Sequence, residues 1–262
     1  MRKPPNNPVH TTETSLEILE AVGAAGRSRT IDLADSVGVS KGTVHKHAST
    51  LVYHGYLRKR GDWYYPGLKL LDLGETARTR FPSYTHVEQV VRELHEETAE
   101  DVDFVVEEQG RVYTICEAYH KWEKHPQAAS EYRAHLGDQY YMHSVASGKV
   151  LLATYDRAAV EAIVDRWGLP ALTDNTITDR DQLFAELDRI REQGYAIGDQ
   201  EFQDGLRSVS RPVRKNGRAL GALSISGPAY RITEELIANE LLNAQAEAID
   251  ELEAAIASTD GG

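Results

Sequence analysis

The chain has 262 residues, 41% hydrophobic and 27% charged, enough to bury a core and to divide into two domains. Its lone cysteine, Cys116, permits no internal disulfide and no thiolate metal cluster. No run reaches the roughly 18 to 20 apolar residues of a membrane span, and MRKPPNNPVH carries no apolar leader, so a soluble, cytoplasmic protein is expected.

The formal charge of −12 is unevenly spread: 12 Lys+Arg stand against 8 Asp+Glu over residues 1–80, and 17 against 33 over residues 81–262. Charge alone fits either a polyanion-binding head on an acidic body or a chance asymmetry. Only 9 of the 29 basic residues are lysine, and that scarcity beside an acidic excess suits high internal salt, as in halophilic archaea.

In chain order, Thr14 or Ser15 can cap a first helix running to Val22, with Leu16, Leu19 and Val22 on one face. After a Gly-rich break, Thr30 opens IDLADSV, whose apolar side is Ile31, Ala34 and Val37, and Gly38 ends it. Ser40 caps a third helix, SKGTVHKHASTLVYHG. Its spacing turns Val44, Ala48, Leu51 and Val52 inward and leaves Lys41, Thr43, His45, Lys46 and Ser49 outward. YLRKRGDWYYPG then alternates like a strand and turns at Gly61 and Asp62, a hairpin pattern with Arg58, Lys59 and Arg60 on its first arm.

Two short helices, a capped third and a basic hairpin describe a winged helix-turn-helix. The third helix fits a major groove, where Thr43, His45 and Lys46 can meet base edges and phosphates. The helix N-terminus at Ser40 offers amides to a phosphate, and the hairpin can reach backbone or minor groove. The same fold also docks proteins, so a metabolite sensor that binds a protein partner instead of DNA is the alternative.

LKLLDLGETART reads as a connecting helix from Leu68 to about Thr79, and residues 81–83 mark a boundary. The expected division is a DNA-binding domain over 1–67, a linker helix over 68–83, and a second domain over 84–262. Beyond the boundary, residues 84–99 form a helix with Val87, Val90, Val91 and Leu94 inward. A hairpin turning at Gln109 and Gly110 follows, then a strand around Tyr132 to Leu136 and a helix within VASGKVLLATY. Helices near 156–166 and 180–193 precede strands around 195–197, 206–213 and ALGALSISG. A last helix spans about Thr233 to Ile256, with Ile237, Leu241, Ala248, Leu252 and Ile256 at helical spacing. Strands with flanking helices give an α+β domain with an antiparallel sheet.

Two independent stretches resemble one family. LADSVGVSKGTVHKHASTLVYHGYLRKR is similar to the DNA-binding core and wing of the IclR-type transcriptional regulators. HSVASGKVLLA, the run from Thr176 through GYAIGDQEFQDGLRSVSRPV, and GALSISGPAYR resemble the effector-domain motifs of that family in order. The resemblance implies a GAF-like effector-binding domain, assembly as a homodimer or dimer of dimers, an operator in double-stranded DNA, and control of carbon-catabolism genes. By motif position the pocket would include Tyr140, Ala146, Ser147, Asp199 or its neighbour Gly198, Ser208, Ser224 and Ser226. A helix N-terminus at residues 145–147 would add amide donors, and the serines would add hydroxyls facing one way, which suits a small carboxylate or sugar acid. Two departures from the family pattern stand out: Ser208 replaces a common cysteine, and Gly198 replaces a frequent acidic residue.

Catalysis is not expected. Cys116 and His120 are four residues apart on a strand, roughly 13 Å, too far for a thiol and its base. His120 and His125 near Glu117 and Glu123 match no strong metal-ligand spacing, so neither a metal nor a cofactor is expected. GKVLLA lacks the glycines of a phosphate loop, and Asp101 and Asp103 read as solvated charges on one strand face. His47, at a usually apolar position of the third helix, reads as a part-buried, hydrogen-bonded residue.

Overall fold

The structure, a computed structural model, describes residues 7–119 and 136–258. The chain forms two compact units with their boundary between Phe81 and Pro82. The histidine-rich stretch from His120 and most of the strand expected at Tyr132 to Leu136 lie outside the described residues; Leu136 itself sits in a turn.

The first unit begins with α1 (His10–Ala25), which starts a turn earlier than Thr14 because the Val9 carbonyl already accepts from the amides of Thr12 and Glu13. A two-residue strand, β1 (Ser28–Arg29), leads into α2 (Thr30–Val37), closed by left-handed Gly38. In α2 Leu33 and Ala34 are the buried pair while Ile31 is exposed. Of the expected Ile31, Ala34 and Val37, Ala34 is buried and Val37 packs against the core, while Leu33 takes the buried place expected of Ile31. Helix α3 (Lys41–Tyr53) starts at Ser40, whose hydroxyl accepts from the Thr43 amide at 3.1 Å. The wing is β2 (Leu57–Arg60) and β3 (Trp63–Pro66), and β1 pairs with β3 to make a three-stranded sheet. Ile18, Val22, Leu33, Val44, Ala48, Leu57 and Tyr64 form the core. Helix α4 (Lys69–Thr79) buries none of its residues.

The second unit is a six-stranded antiparallel sheet in the order β6 (Gln139–Tyr141), β5 (Arg111–Ala118), β4 (Asp101–Glu108), β9 (Arg218–Pro228), β8 (Leu206–Lys215), β7 (Ala196–Asp199). Strand alternation gives this sheet two lives. Val102, Phe104, Val209, Leu223 and Ile225 are fully buried apolar positions, against which α5 (Tyr84–Thr98) and α9 (Leu242–Ser258) pack. The intervening positions, Val105, Ala222 and Ala196, join a second core with α6 (Ala146–Leu152), α7 (Arg157–Trp167) and α8 (Arg180–Gln193). Before α9 the chain makes a π-helical turn, Ile237–Leu241. The wider turn shifts the inward series to Ala244, Gln245, Ile249, Leu252 and Ile256, so Ile249 takes the buried place expected of Ala248.

Helix α6 is pinned at its centre. The Lys149 side chain is 1% exposed and its ammonium reaches Glu201 at 2.5 Å, Glu186 at 3.0 Å and the Ile197 carbonyl at 2.8 Å. Burial pushes the Glu201 carboxyl up in spite of that ammonium, whereas at Glu186 burial is outweighed by Lys149 and Arg189, which hold it low. Gly148 lets the same helix press against the preceding turn: a Cβ there would stand 2.3 Å from the Met142 carbonyl oxygen. Replacing Lys149 with methionine keeps the volume but strands the Glu201 carboxylate and leaves Glu186 to Arg189 alone, and is expected to cost about 3–5 kcal/mol. Urea unfolding of the variant would read this; a loss under about 1 kcal/mol would mean that the triad holds nothing.

Candidate functional site

On the first unit, Lys41, His45, Lys46 and Ser49 are exposed along one side of α3, and Val44 and Ala48 are buried on the other. Ser40 serves as the cap and Thr43 is half-buried beside it, their hydroxyls 2.9 Å apart. His47 accepts or donates a 2.8 Å hydrogen bond with the Ser15 hydroxyl of α1 and is part-buried, so it anchors α3 to α1. Arg58, Lys59 and Arg60 are all exposed on the wing. The fold adds residues that sequence reasoning missed. Because β1 pairs with β3, the Arg27 and Arg29 guanidinium groups come to lie 4.5 and 5.2 Å from the centre of the Trp63 ring. The signal in the sequence was the GRSRT string, whose arginines acquire meaning only once β1 joins the wing.

On the second unit, the strand registers gather the expected serines. Ser226 faces Ser208, which faces Gly198, and Ser224 faces Ser210 in the neighbouring row. Ala146 and Ser147, both buried, begin α6. A Cβ on Gly198 would stand 2.8 Å from the Ser208 hydroxyl and 3.2 Å from the Ala146 amide nitrogen, so α6 approaches the sheet through the space a side chain at 198 would fill. Tyr140 donates to Asp138 at 3.1 Å and meets Phe202 edge to face at 5.0 Å; burial pushes its phenol up. Asp199 does not share this face. It alternates with Gly198, pairs in register with Arg207, and is ion-paired to that residue at 2.7 Å, which holds its carboxyl below the ordinary range.

The same face carries acids that the sequence reading took for solvated charge. Asp103 lies opposite Ser224 on one side and Glu117 on the other, and Asp101 lies opposite Ser226. Asp103 is only partly exposed. Burial, then Glu117 and Asp101, push its carboxyl up to about 7, against the Ser224 hydroxyl within hydrogen-bonding reach. Cys116, next to Glu117, is buried on the opposite face. Among the described residues no three His, Cys, Asp or Glu side chains are placed to hold a metal, and no helix is long and apolar enough to cross a membrane.

A winged helix-turn-helix with an exposed basic helix, followed by a sheet domain with a polar inner face, is the arrangement of a DNA-binding transcriptional regulator controlled by a small-molecule effector. Two family profiles match, "IclR helix-turn-helix domain" over residues 12–61 and "Bacterial transcriptional regulator IclR C-terminal" over residues 80–251. The chain belongs to the IclR family. It is 32% identical to the HTH-type transcriptional regulator KdgR of Escherichia coli, across 83% of this chain and 82% of that one. The crystal structure of the Thermotoga maritima IclR aligns over 95% of this chain and 99% of its own, with 26% identity and a TM-score of 0.74. A double mutant of the inducer-binding domain of the Acinetobacter transcription factor PobR, complexed with 3-hydroxybenzoic acid, aligns over 63% of this chain and 94% of its own, with 25% identity and a TM-score of 0.59.

The raised Asp103 carboxyl has a pH signature. In the unfolded chain the group ionises near 3.8, in the folded one at about 7, so the folded state binds more protons between these values. Its contribution therefore falls as pH rises from about 4 to about 7 and is flat above. Between pH 5 and pH 8, wild type is expected to lose on the order of 2 kcal/mol more stability than Asp103→Asn. Urea midpoints at the two pH values test this, and equal losses in both proteins would contradict it.

Proposed function

We propose that α3 enters the major groove of an operator, with Lys41, Thr43, His45, Lys46 and Ser49 meeting bases and phosphates and the α3 N-terminus at Ser40 facing a phosphate. Arg58, Lys59 and Arg60 of the wing hold the flanking backbone, joined by Arg27. The observation that carries this reading is the exposure of Lys41, Lys46, Arg58, Lys59 and Arg60 while Val44, Ala48 and Leu57 of the same elements are buried. Two copies are needed to read a site with two half-sites about 34 Å apart or a multiple of it, so the working form is a homodimer or a dimer of dimers. Leu68 and Leu71, 84% and 69% exposed beside α4 and on it, supply apolar surface for self-association.

The effector occupies the sheet face of Ser208, Ser224 and Ser226, bounded by Tyr140 and by Ala146 and Ser147. Its chemistry is that of a small carboxylate or sugar acid. The PobR inducer-binding domain, which holds 3-hydroxybenzoic acid, supports that class. Binding favours one arrangement of the paired heads, so operator affinity follows metabolite concentration through a coupling free energy. The regulated genes serve carbon catabolism, and the protein works in the cytoplasm. The acidic second unit, with its few lysines, fits a cell of high internal salt, where counterion release weakens and base contacts carry more of the affinity.

Lys46→Glu is expected to abolish the mobility shift of the chain's own upstream DNA at unchanged melting temperature. Retained binding would displace α3 from the groove. The double variant Ser224→Ala, Ser226→Ala is expected to lose the thermal stabilisation given by the effector while its DNA affinity without effector is unchanged; an undiminished ligand response would move the pocket elsewhere.

A further inference from the structure

Charge on the effector face has not been assigned a role, and among the described residues the charged side chains in register with Ser224 and Ser226 are both carboxylates. Asp103 and Glu117 stand directly opposite each other on β4 and β5, Asp101 follows two residues along, and Ser224 flanks Asp103 on β9. Of the described cations, Lys149 is held by Glu186 and Glu201, Arg207 by Asp199, and Arg231 by Glu100. The Tyr119 phenol lies close to Glu117, and Tyr140 adds a second phenol close to Asp103. The Thr114 hydroxyl, on the 1% exposed Thr114 whose register partner is Val105 of the same face, has no partner in full hydrogen-bond geometry and lies only near the Tyr140 phenol. A buried hydroxyl and two carboxylates thus converge where a bound molecule must supply donors, not charge.

We propose that Asp103 and Glu117 are the selectivity determinants of the effector site: they accept hydroxyl groups of a polyhydroxylated, sugar-type ligand and exclude any ligand that brings a carboxylate to that end. This rests on the effector reading given above. A sugar acid fits with its hydroxylated carbons over the Asp103–Glu117 pair and its single carboxylate toward Ser208 and the Ala146 amide at the start of α6, two strands away from β4. A diacid of equal length fits in neither orientation, because one carboxylate always meets the acid pair. Proton uptake would relax the exclusion, and the groups facing Asp103 that set its titration are Glu117 and Tyr119 from β5 and the residue following it, Asp101 from β4, Ser224 from β9, and Tyr140 from β6.

The test compares D-gluconate with D-glucarate, which differ only in the oxidation state of the terminal carbon, by calorimetry on the full-length protein at pH 8 and pH 6. Wild type is expected to bind gluconate at least tenfold more tightly than glucarate at pH 8, with the gap narrowing at pH 6. Asp103→Asn is expected to bring glucarate to within about threefold of gluconate, and Glu117→Gln to do so in part. Equal binding of both acids by wild type at pH 8, or an unchanged gap in both variants, would overturn the proposal. The same follows if wild type binds neither acid and Asp103→Asn gains no response to glucarate. Failure of the effector reading looks different, since Ser224→Ala, Ser226→Ala would then leave gluconate binding intact. Asp103→Asn melting at or above the wild-type temperature at pH 8 shows that any change in binding is not misfolding.

Discussion

The second unit depends on one buried cation. Lys149 belongs to a seven-residue helix that has no side-chain cap at its N-terminus, and a helix so short does not hold its place by propensity. The ammonium instead ties α6 to α8 through Glu186, to β7 through the Ile197 carbonyl, and to the chain after β7 through Glu201. These are three separate parts of the sequence brought to one atom. Removing two carboxylates and a lysine from water is costly, and the return is positional: α6 can lie against the sheet in one register only. That register sets the distance between Ala146 and Gly198, and with it the shape of the polar face on which the serines converge.

This explains why the Gly-Lys pair of GKVLLA could be dismissed as a phosphate loop yet not recognised for what it is. The apolar run Val150, Leu151 and Leu152, buried together, marks α6 as a core element, but it carries no information about a lysine turned inward. The partners are 37 and 52 residues away. The first unit was more legible because its contacts are more local. Ser40 capping α3, Gly38 ending α2 and the turn at Gly61 and Asp62 are each specified by residues within a few positions. What escaped there was again non-local: β1, a pair of residues that counts as a strand only because β3 accepts it, and the Ser15 to His47 bond that crosses 32 residues.

Alternation made the serines legible and misjudged the acids for the same reason. Positions two apart on a strand share a face, so Ser224 and Ser226 could be assigned together. Asp101 and Asp103 share a face too, and an isolated strand with two aspartates reads as solvent-facing. Only the sheet order shows otherwise. β4 is central, with β5 on one side and β9 on the other, so its polar face is covered along with the serines; the pairing with β5 shifts by a bulge between Phe104 and Val105 while the pairing with β9 runs unbroken. Asp199 shows the converse error: motif position suggested the pocket, but alternation with Gly198 commits its carboxylate to Arg207 on the other face.

Gly198 and Asp103 then read as two halves of one adjustment. The family resemblance leads to an acidic residue at 198, yet here even a Cβ would crowd the Ser208 hydroxyl and the Ala146 amide. With α6 locked by Lys149, the helix cannot withdraw to admit a carboxylate at that point. The negative group on this face stands instead on β4, where Asp103 lies one row away and within reach of Ser224. Moving the carboxylate from the rim strand β7 to the central strand β4 also moves it into a less solvated position, opposite Glu117, which is why its proton is held to about pH 7. A group poised there is neutral or charged according to what lies against it, so the ligand helps to decide the protonation state of its own site, and a ligand bearing hydroxyl donors stabilises the charged form that a second carboxylate would oppose.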